Sequence, residues 1–139
     1  MNVFLDTNIA LDFLLKRKEF FEDAKRVIAV CLNRKYNLYL SSISFSNISY
    51  IARKGHDGMS VSDMLSVLRE MVSVSPVDQT VVDRALDMNL DDFEDAMQFF
   101  SALSVHSDYI ITRNVGDFPQ ASIPIVSPID FIKELKKGK

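Results

Sequence analysis

The side chains of this chain that could do chemistry are oxygen donors gathered in three places far apart in sequence. Asp6 and Asn8 follow the apolar run Val3-Phe4-Leu5. Asp91, Asp92, Glu94 and Asp95 crowd into five residues, and Asn114 and Asp117 sit in Thr112-Arg113-Asn114-Val115-Gly116-Asp117-Phe118. Brought together, these carboxylates would repel one another, and burying their charge would be costly unless a cation offset it. Oxygen donors with no His or Cys set beside them select a hard ion, Mg²⁺ or Mn²⁺, over Zn²⁺. Such an ion activates water and neutralises the charge that develops on a phosphodiester during in-line displacement. Phosphodiester hydrolysis is therefore the leading chemistry.

Each acid also has a plainer role. A single Asp after a strand is more often a helix N-cap than a catalyst, so Asp6 alone proves little. Asp91, Asp92 and Glu94 suit the positive end of a helix dipole, and for these three the structural role is favoured. Asp95 lies one turn inside its helix, beside Ala96 and Ala102, which mark close packing, and there a buried edge position fits a ligand. In Gly116-Asp117-Phe118-Pro119 a turn role and a ligand role are evenly matched for Asp117. Thr7 and Thr112 could orient catalytic oxygens, although capping a turn is the commoner use of a hydroxyl. Arg17, Arg53, Lys54 and Arg113 could form a basic rim for phosphates, with Arg113 best placed. His56 and His106 have no partner set. Phe99, Phe100, Met64 and Met71 read as core or dimer-interface residues.

The elements that must position these groups are legible in the apolar spacing. Asn2 to Leu5 reads as a buried strand delivering Asp6 at its carboxyl end. Two helices follow, the second marked by Phe20, Ala24, Val27, Ile28 and Cys31. Asn37 to Leu40 with Ser41 forms another strand. Ile43, Ile48, Ile51 and Ala52 mark a helix ending before Gly55, and Gly55 with Gly58 makes a turn. Val61 to Val72 is helical, Val72 to Val77 a short strand interrupted at Pro76, and Val81 to Leu86 helical again. Asp91-Asp92 opens the long helix Phe93 to His106. Tyr109 to Ile111 and Ile123 to Val126 are the last strands, before a terminal helix from Pro128.

Short strands without strict alternation, separated by helices, specify an α/β fold: a three-layer α/β/α arrangement around a short parallel sheet. In such sheets ligands bind beyond the carboxyl ends of the strands, where the strand order reverses. Asp6 and Asn114 follow strands directly. The helix opening near Asp92 must run antiparallel to the strand after it, so its amino terminus faces the same edge. Three distant segments would then bring acids to one crevice.

Composition bounds the rest. The 139 residues, 47% hydrophobic and 25% charged, make one ordered domain spanning 1–139. A net charge of −3 and a pI near 5.3 give no bulk electrostatic support for nucleic-acid binding, so a polyanion would need a local basic rim or bound cations. Cys31 is the lone cysteine, which points to no oxidising compartment. The opening residues do not form a secretory signal, and no apolar stretch approaches the roughly 20 residues that span a bilayer. A soluble, cytoplasmic protein without membrane partners is expected.

Taken together, VFLDTNIALDFLLKR and DFEDAMQFFSALSVHSDYIITRNVGDF resemble the first and the later acidic motifs of the PIN (PilT N-terminus-like) domain family, which includes VapC-type toxins of bacterial toxin–antitoxin pairs. The likeness runs nearly end to end. It implies that Asp6 is a metal ligand, Asp95 the central acid, and that Asn114 and Asp117 complete the site of a Mg²⁺- or Mn²⁺-dependent endoribonuclease, with Asn8, Asn47, Glu94 and Thr112 in support and Arg113 against the RNA. It also implies a homodimer held inactive by a cognate antitoxin whose peptide occupies the acidic groove. One departure stands out. The family commonly places a Glu on the helix after the second strand, where this chain has Asn47, and Asn114 stands where Asp is frequent. Either Glu94 compensates, or activity is weak or lost. The rival from another class is a PIN-like module that grips RNA or protein without cutting. A nucleotide-binding or phosphotransfer receiver domain is disfavoured by the lack of a Gly-rich phosphate loop and of a Lys after the late strand.

Overall fold

The computed structural model describes residues 1–88, 91–118 and 122–138, apart from the side chain of Asp117. The chain alternates strands and helices: β1 (Asn2–Leu5), α1 (Thr7–Leu14), α2 (Phe21–Asn33), β2 (Asn37–Ser41), α3 (Ser42–Ile51), α4 (Val61–Met71), β3 (Ser73–Ser75), α5 (Gln79–Met88), α6 (Phe93–Ser104), β4 (Tyr109–Ile111), β5 (Ile125–Val126) and α7 (Pro128–Lys137). The strands form one parallel sheet in the order β3-β2-β1-β4-β5. The chain leaves β1 towards β2 and β3, then crosses back to place β4 on the other side of β1. The order reverses between β1 and β4, and the carboxyl ends of those two strands open the crevice.

Alternation along β1 explains why Val3, Phe4 and Leu5 are all apolar. Val3 and Leu5 join a cluster with Ile9, Val27, Ile28, Leu40, Ile48, Leu68, Ile111 and Phe131, which fixes α1, α2, α3, α4 and α7 on one face. Phe4 points the other way, to Ile110, Val81, Ala85, Ala96 and Phe99, where α5 and α6 cover the sheet. A central strand covered on both faces has no polar side to present. The result is the α/β/α layering expected from the sequence.

Helix starts are set by short polar side chains that accept backbone N–H groups left over in the first turn. Ser41 caps α3, Ser60 caps α4, Asp92 caps α6 and Ser127 caps α7, each through the amide three residues on. Gly55 and Gly58, both at φ +78, turn the chain between α3 and α4. Element ends differ slightly from the sequence reading. Val72 terminates α4 instead of opening β3, and α6 stops at Ser104. Ile123 is buried in the core while only Ile125 and Val126 pair with β4.

Candidate active site

An open cleft of about 500 Å³ lies at the carboxyl edge of the sheet, lined by Asp6, Thr7, Asn8, Asn47, Tyr50, Asp92, Glu94, Asp95 and Asn114 among others. Of the residues singled out in the sequence, Asp6, Asn8, Asn47, Glu94, Asp95 and Asn114 thus come together from the β1–α1 junction, helices α1, α3 and α6, and the loop after β4. The backbone of Asp117 ends the 3₁₀ turn Val115–Asp117 just beyond Asn114. Its side chain, and with it the expected ligand role, lies outside the described residues.

Asp6 is held from both sides. It is 8% exposed, and its Oδ1 accepts the Thr7 N–H at 2.8 Å while Oδ2 accepts the Thr112 hydroxyl at 2.9 Å. It therefore caps α1 and faces the cleft at once, so the plain role and the chemical one coexist in one side chain. Burial pushes its pKa above the ordinary aspartate value. The Thr112 hydroxyl and the Thr7 amide oppose this, the charge of Glu94 reinforces it and that of Arg113 opposes it, and the balance stays upward. A carboxylate in that condition gains from a nearby cation.

The α6 amino terminus carries the other acids. Asp92 accepts the Asp95 N–H at 3.2 Å, the capping role favoured from its position. Half-buried Asp95 sits one turn in, at the cleft wall. Glu94 is exposed and accepts from the Asn47 Nδ2 at 3.1 Å, which joins α3 to α6 across the cleft mouth. Asn114 is fixed by its backbone N–H, which donates to the Thr112 hydroxyl at 3.0 Å.

Arg113 does not line the cleft. Its Nε donates to Asp12 Oδ2 at 2.8 Å and its Nη2 to Asp12 Oδ1 at 3.3 Å, while the guanidinium lies 3.9 Å over the Phe20 ring. Arg17 adds a further contact to Asp12 Oδ1 at 3.3 Å. Asp12, only 1% exposed, was not singled out in the sequence. Its signal was a charge inside the otherwise apolar Ile9-Ala10-Leu11-Asp12-Phe13-Leu14-Leu15. The pair clamps the loop after β4 onto α1, next to Thr112 and Asn114.

A second group went unnoticed for the same reason. Gln98, 1% exposed within Met97-Gln98-Phe99-Phe100, donates its Nε2 to Thr7 Oγ1 at 3.1 Å and to Ser44 Oγ at 3.0 Å. Those two hydroxyls are 2.6 Å apart, and Ser44 also meets Ser41 at 3.2 Å. This buried knot ties α1 beside Asp6, α3 one turn before Asn47, and α6 one turn after Glu94. Gln98 Oε1 has no partner among the described residues.

The donor set suits a hard cation: carboxylate and amide oxygens, with no imidazole or thiol. Among the described residues no three His, Cys, Asp or Glu side chains group closely enough to hold an ion by themselves. An ion here would keep amide and water ligands, as Mg²⁺ commonly does.

The sequence model described as PIN domain matches residues 2–116. The chain belongs to the PIN domain family. As a PIN domain it is similar to the ribonuclease VapC1 of Aquifex aeolicus, 24% identical over 134 residues that cover 93% of this chain and 92% of the relative. Its fold is shared by VapBC2 from Rickettsia felis bound to a promoter DNA fragment, with a TM-score of 0.67, 14% identity, and coverage of 91% of this chain and 98% of that one. VapBC-1 from nontypeable Haemophilus influenzae gives a TM-score of 0.65 at 18% identity, covering 93% of this PIN domain and 99% of its own chain. A toxin–antitoxin complex from Klebsiella pneumoniae gives 0.63 at 21% identity, covering 91% and 97%.

Proposed function

We propose that this PIN domain is a divalent-metal-dependent endoribonuclease and the toxin of a toxin–antitoxin pair, working as one unit over residues 1–139. The observation that carries the reading is the convergence of Asp6, Glu94 and Asp95 on one cleft with no Lys or Arg among its described lining residues. That excess of negative charge calls for a bound cation. Asp6 and Asp95 would hold it, Asp117 would assist or position water, and Asn8, Asn47 and Asn114 would supply neutral oxygens or hydrogen bonds. Mg²⁺ or Mn²⁺ matches the oxygen donors. When bound, such an ion supplies Lewis acidity towards the phosphoryl oxygen and lowers the pKa of a water.

The chain's own residues do the positioning. Thr112 and the Thr7 amide each take one lone pair of an Asp6 oxygen, and the carboxylate, which lines the cleft, keeps others for a ligand. Thr112 also receives the Asn114 amide, so one hydroxyl sets the angle between β1 and the loop after β4. Glu94, held by the Asn47 amide, would stand in for the acid that the PIN resemblance implies at the Asn47 position.

The near full-length likeness to a VapC ribonuclease supports the activity, and the VapBC and toxin–antitoxin complexes that share the fold support an antitoxin partner. We place the protein in the cytoplasm as a homodimer; no helix among the described residues is long and apolar enough to cross a membrane. The test is incubation with a mixed RNA pool plus Mn²⁺ or Mg²⁺, with EDTA and Asp6→Asn as controls. Cleavage lost in both controls is expected; cleavage that survives either one refutes the site. Asn47, where the PIN resemblance implies an acid, favours a second reading: a cleft that binds RNA without cutting it. RNA binding with no cleavage across several divalent ions would select it.

A further inference from the structure

A cleft whose described lining includes no cation has a recognition problem. A bound ion could meet the scissile phosphate, but no basic residue among the described lining grips the rest of a polyanion. Arg113, the basic residue best placed in the sequence, spends its fork on buried Asp12. Lys16 is paired with Asp57 at 3.3 Å. The remaining feature at the cleft is aromatic. Tyr50 lines it from α3, one turn beyond Asn47, and is 68% exposed, with Ile51 beside it at 47%. Residues three apart on a helix share a face, so the ring follows from Asn47's own placement at the cleft.

Tyr50 does not stand alone. The Arg53 guanidinium lies 4.5 Å from its ring centroid, and Arg53 Nη1 donates to the Tyr50 carbonyl oxygen at 2.8 Å. That hydrogen bond ties the cation to the backbone of the residue whose ring it covers. The result is an exposed ring on the wall of an acidic cleft with a guanidinium over one face, so that a ligand would stack on the other. This combination suits one ligand chemistry. A nucleobase stacks on an aromatic face whatever its identity, and a guanidinium can meet the adjoining phosphate.

Building on the ribonuclease reading, we propose that Tyr50 and Arg53 form a stacking platform for one unpaired nucleobase next to the scissile phosphate. A paired helix keeps its bases stacked on each other and offers no free face. The platform reads the base as a flat surface. It confers preference for unpaired segments with little preference among the four bases.

The chain contains no tryptophan, so Tyr50→Trp creates a lone indole at the platform. In an Asp6→Asn background with Mg²⁺ present, that variant is titrated with a short unstructured oligoribonucleotide, its duplex, and a version abasic at successive positions. Saturable quenching by the single strand is expected, lost with the duplex and with one abasic position. Tyr50→Ala should raise KM for cleavage about 10-fold with little change in kcat, as for loss of one stacked base, and Tyr50→Phe should restore it. Absence of quenching by an RNA that the wild-type chain cleaves would overturn the platform and leave the nuclease standing. Quenching without cleavage would support the platform and remove the nuclease. Equal quenching by duplex and single strand would also refute the proposal.

Discussion

Asn47 on α3 donates its side-chain amide to the Glu94 carboxylate on α6 at 3.1 Å, and that contact bridges two walls of the acidic cleft. The neutral amide at position 47 does not leave the mouth uncharged, because it holds a carboxylate from the facing helix there. Glu94→Gln should therefore lower metal-dependent cleavage by about 10- to 100-fold, the range for residues that orient metal ligands. Because Glu94 is exposed, thermal unfolding should change little. Single-turnover rates with Mn²⁺ measure the first and a melting curve the second; full activity in Glu94→Gln would remove Glu94 from the site.

The Asp12–Arg113 pair predicts a stability effect. Arg113→Ala strands a carboxylate that is only 1% exposed, with Arg17 as its remaining partner at 3.3 Å, and breaking a buried pair from one side costs about 3 kcal/mol or more. Asp12→Asn combined with Arg113→Met should cost less than the sum of the single changes. Urea denaturation of the four proteins in the cycle tests this, and strict additivity would show that the pair is not coupled.

Gln98 separates stability from geometry. Gln98→Met removes two donated hydrogen bonds but also an acceptor without a described partner, and Thr7 and Ser44 keep their bond at 2.6 Å. The loss of stability should stay under about 2 kcal/mol. Cleavage should fall further, roughly 10-fold in kcat with KM unchanged, because α1 and α6 lose the bolt that sets Asp6 against Asp95. An equal fall in folding stability and none in kcat would make Gln98 a core residue only.

Asp6 stores strain that pH can report. Its folded pKa is raised by burial, so between the ordinary aspartate value and that raised value the native chain keeps a proton the unfolded chain has lost. Stability therefore declines as pH rises through this window, and the penalty is complete above it. In EDTA, Asp6→Asn should melt higher than the wild type at neutral pH, and the gap should close as pH falls towards the ordinary aspartate value. A gap independent of pH would contradict the burial argument. Divalent ions should narrow it by stabilising only the wild type.

Much of this site could be read before any coordinates. Apolar runs ending at Asp6 and at Thr112 located two strand ends, and the short connection before Tyr109 set the direction of α6, which is enough to bring Asp6, Asp95 and Asn114 to one edge. Asp12, Gln98 and the true place of Arg113 were not legible. A charged or amide group inside an apolar stretch announces that it has a partner, but the partner comes from another element whose rotation about its axis no local pattern reveals. The Asn47–Glu94 contact is similar: two residues 47 positions apart meet only after α3 and α6 have packed. The two-residue β5 escaped exact bounds because so short a ladder is set by its neighbour β4.

The strand order has a consequence for synthesis. β1 is translated first, yet it lies at the centre of the sheet, between β2 and a β4 that begins at Tyr109. Asp6 therefore leaves the ribosome long before the helix carrying Asp95 or the loop carrying Asn114, and its own hydrogen bond from Thr112 waits on that late strand. A nascent chain holds one end of the cleft without the other. A nuclease assembled in this order would stay harmless to the ribosome and messenger producing it until β4 has emerged and paired with β1, and an inhibitor would need to be ready only from that moment.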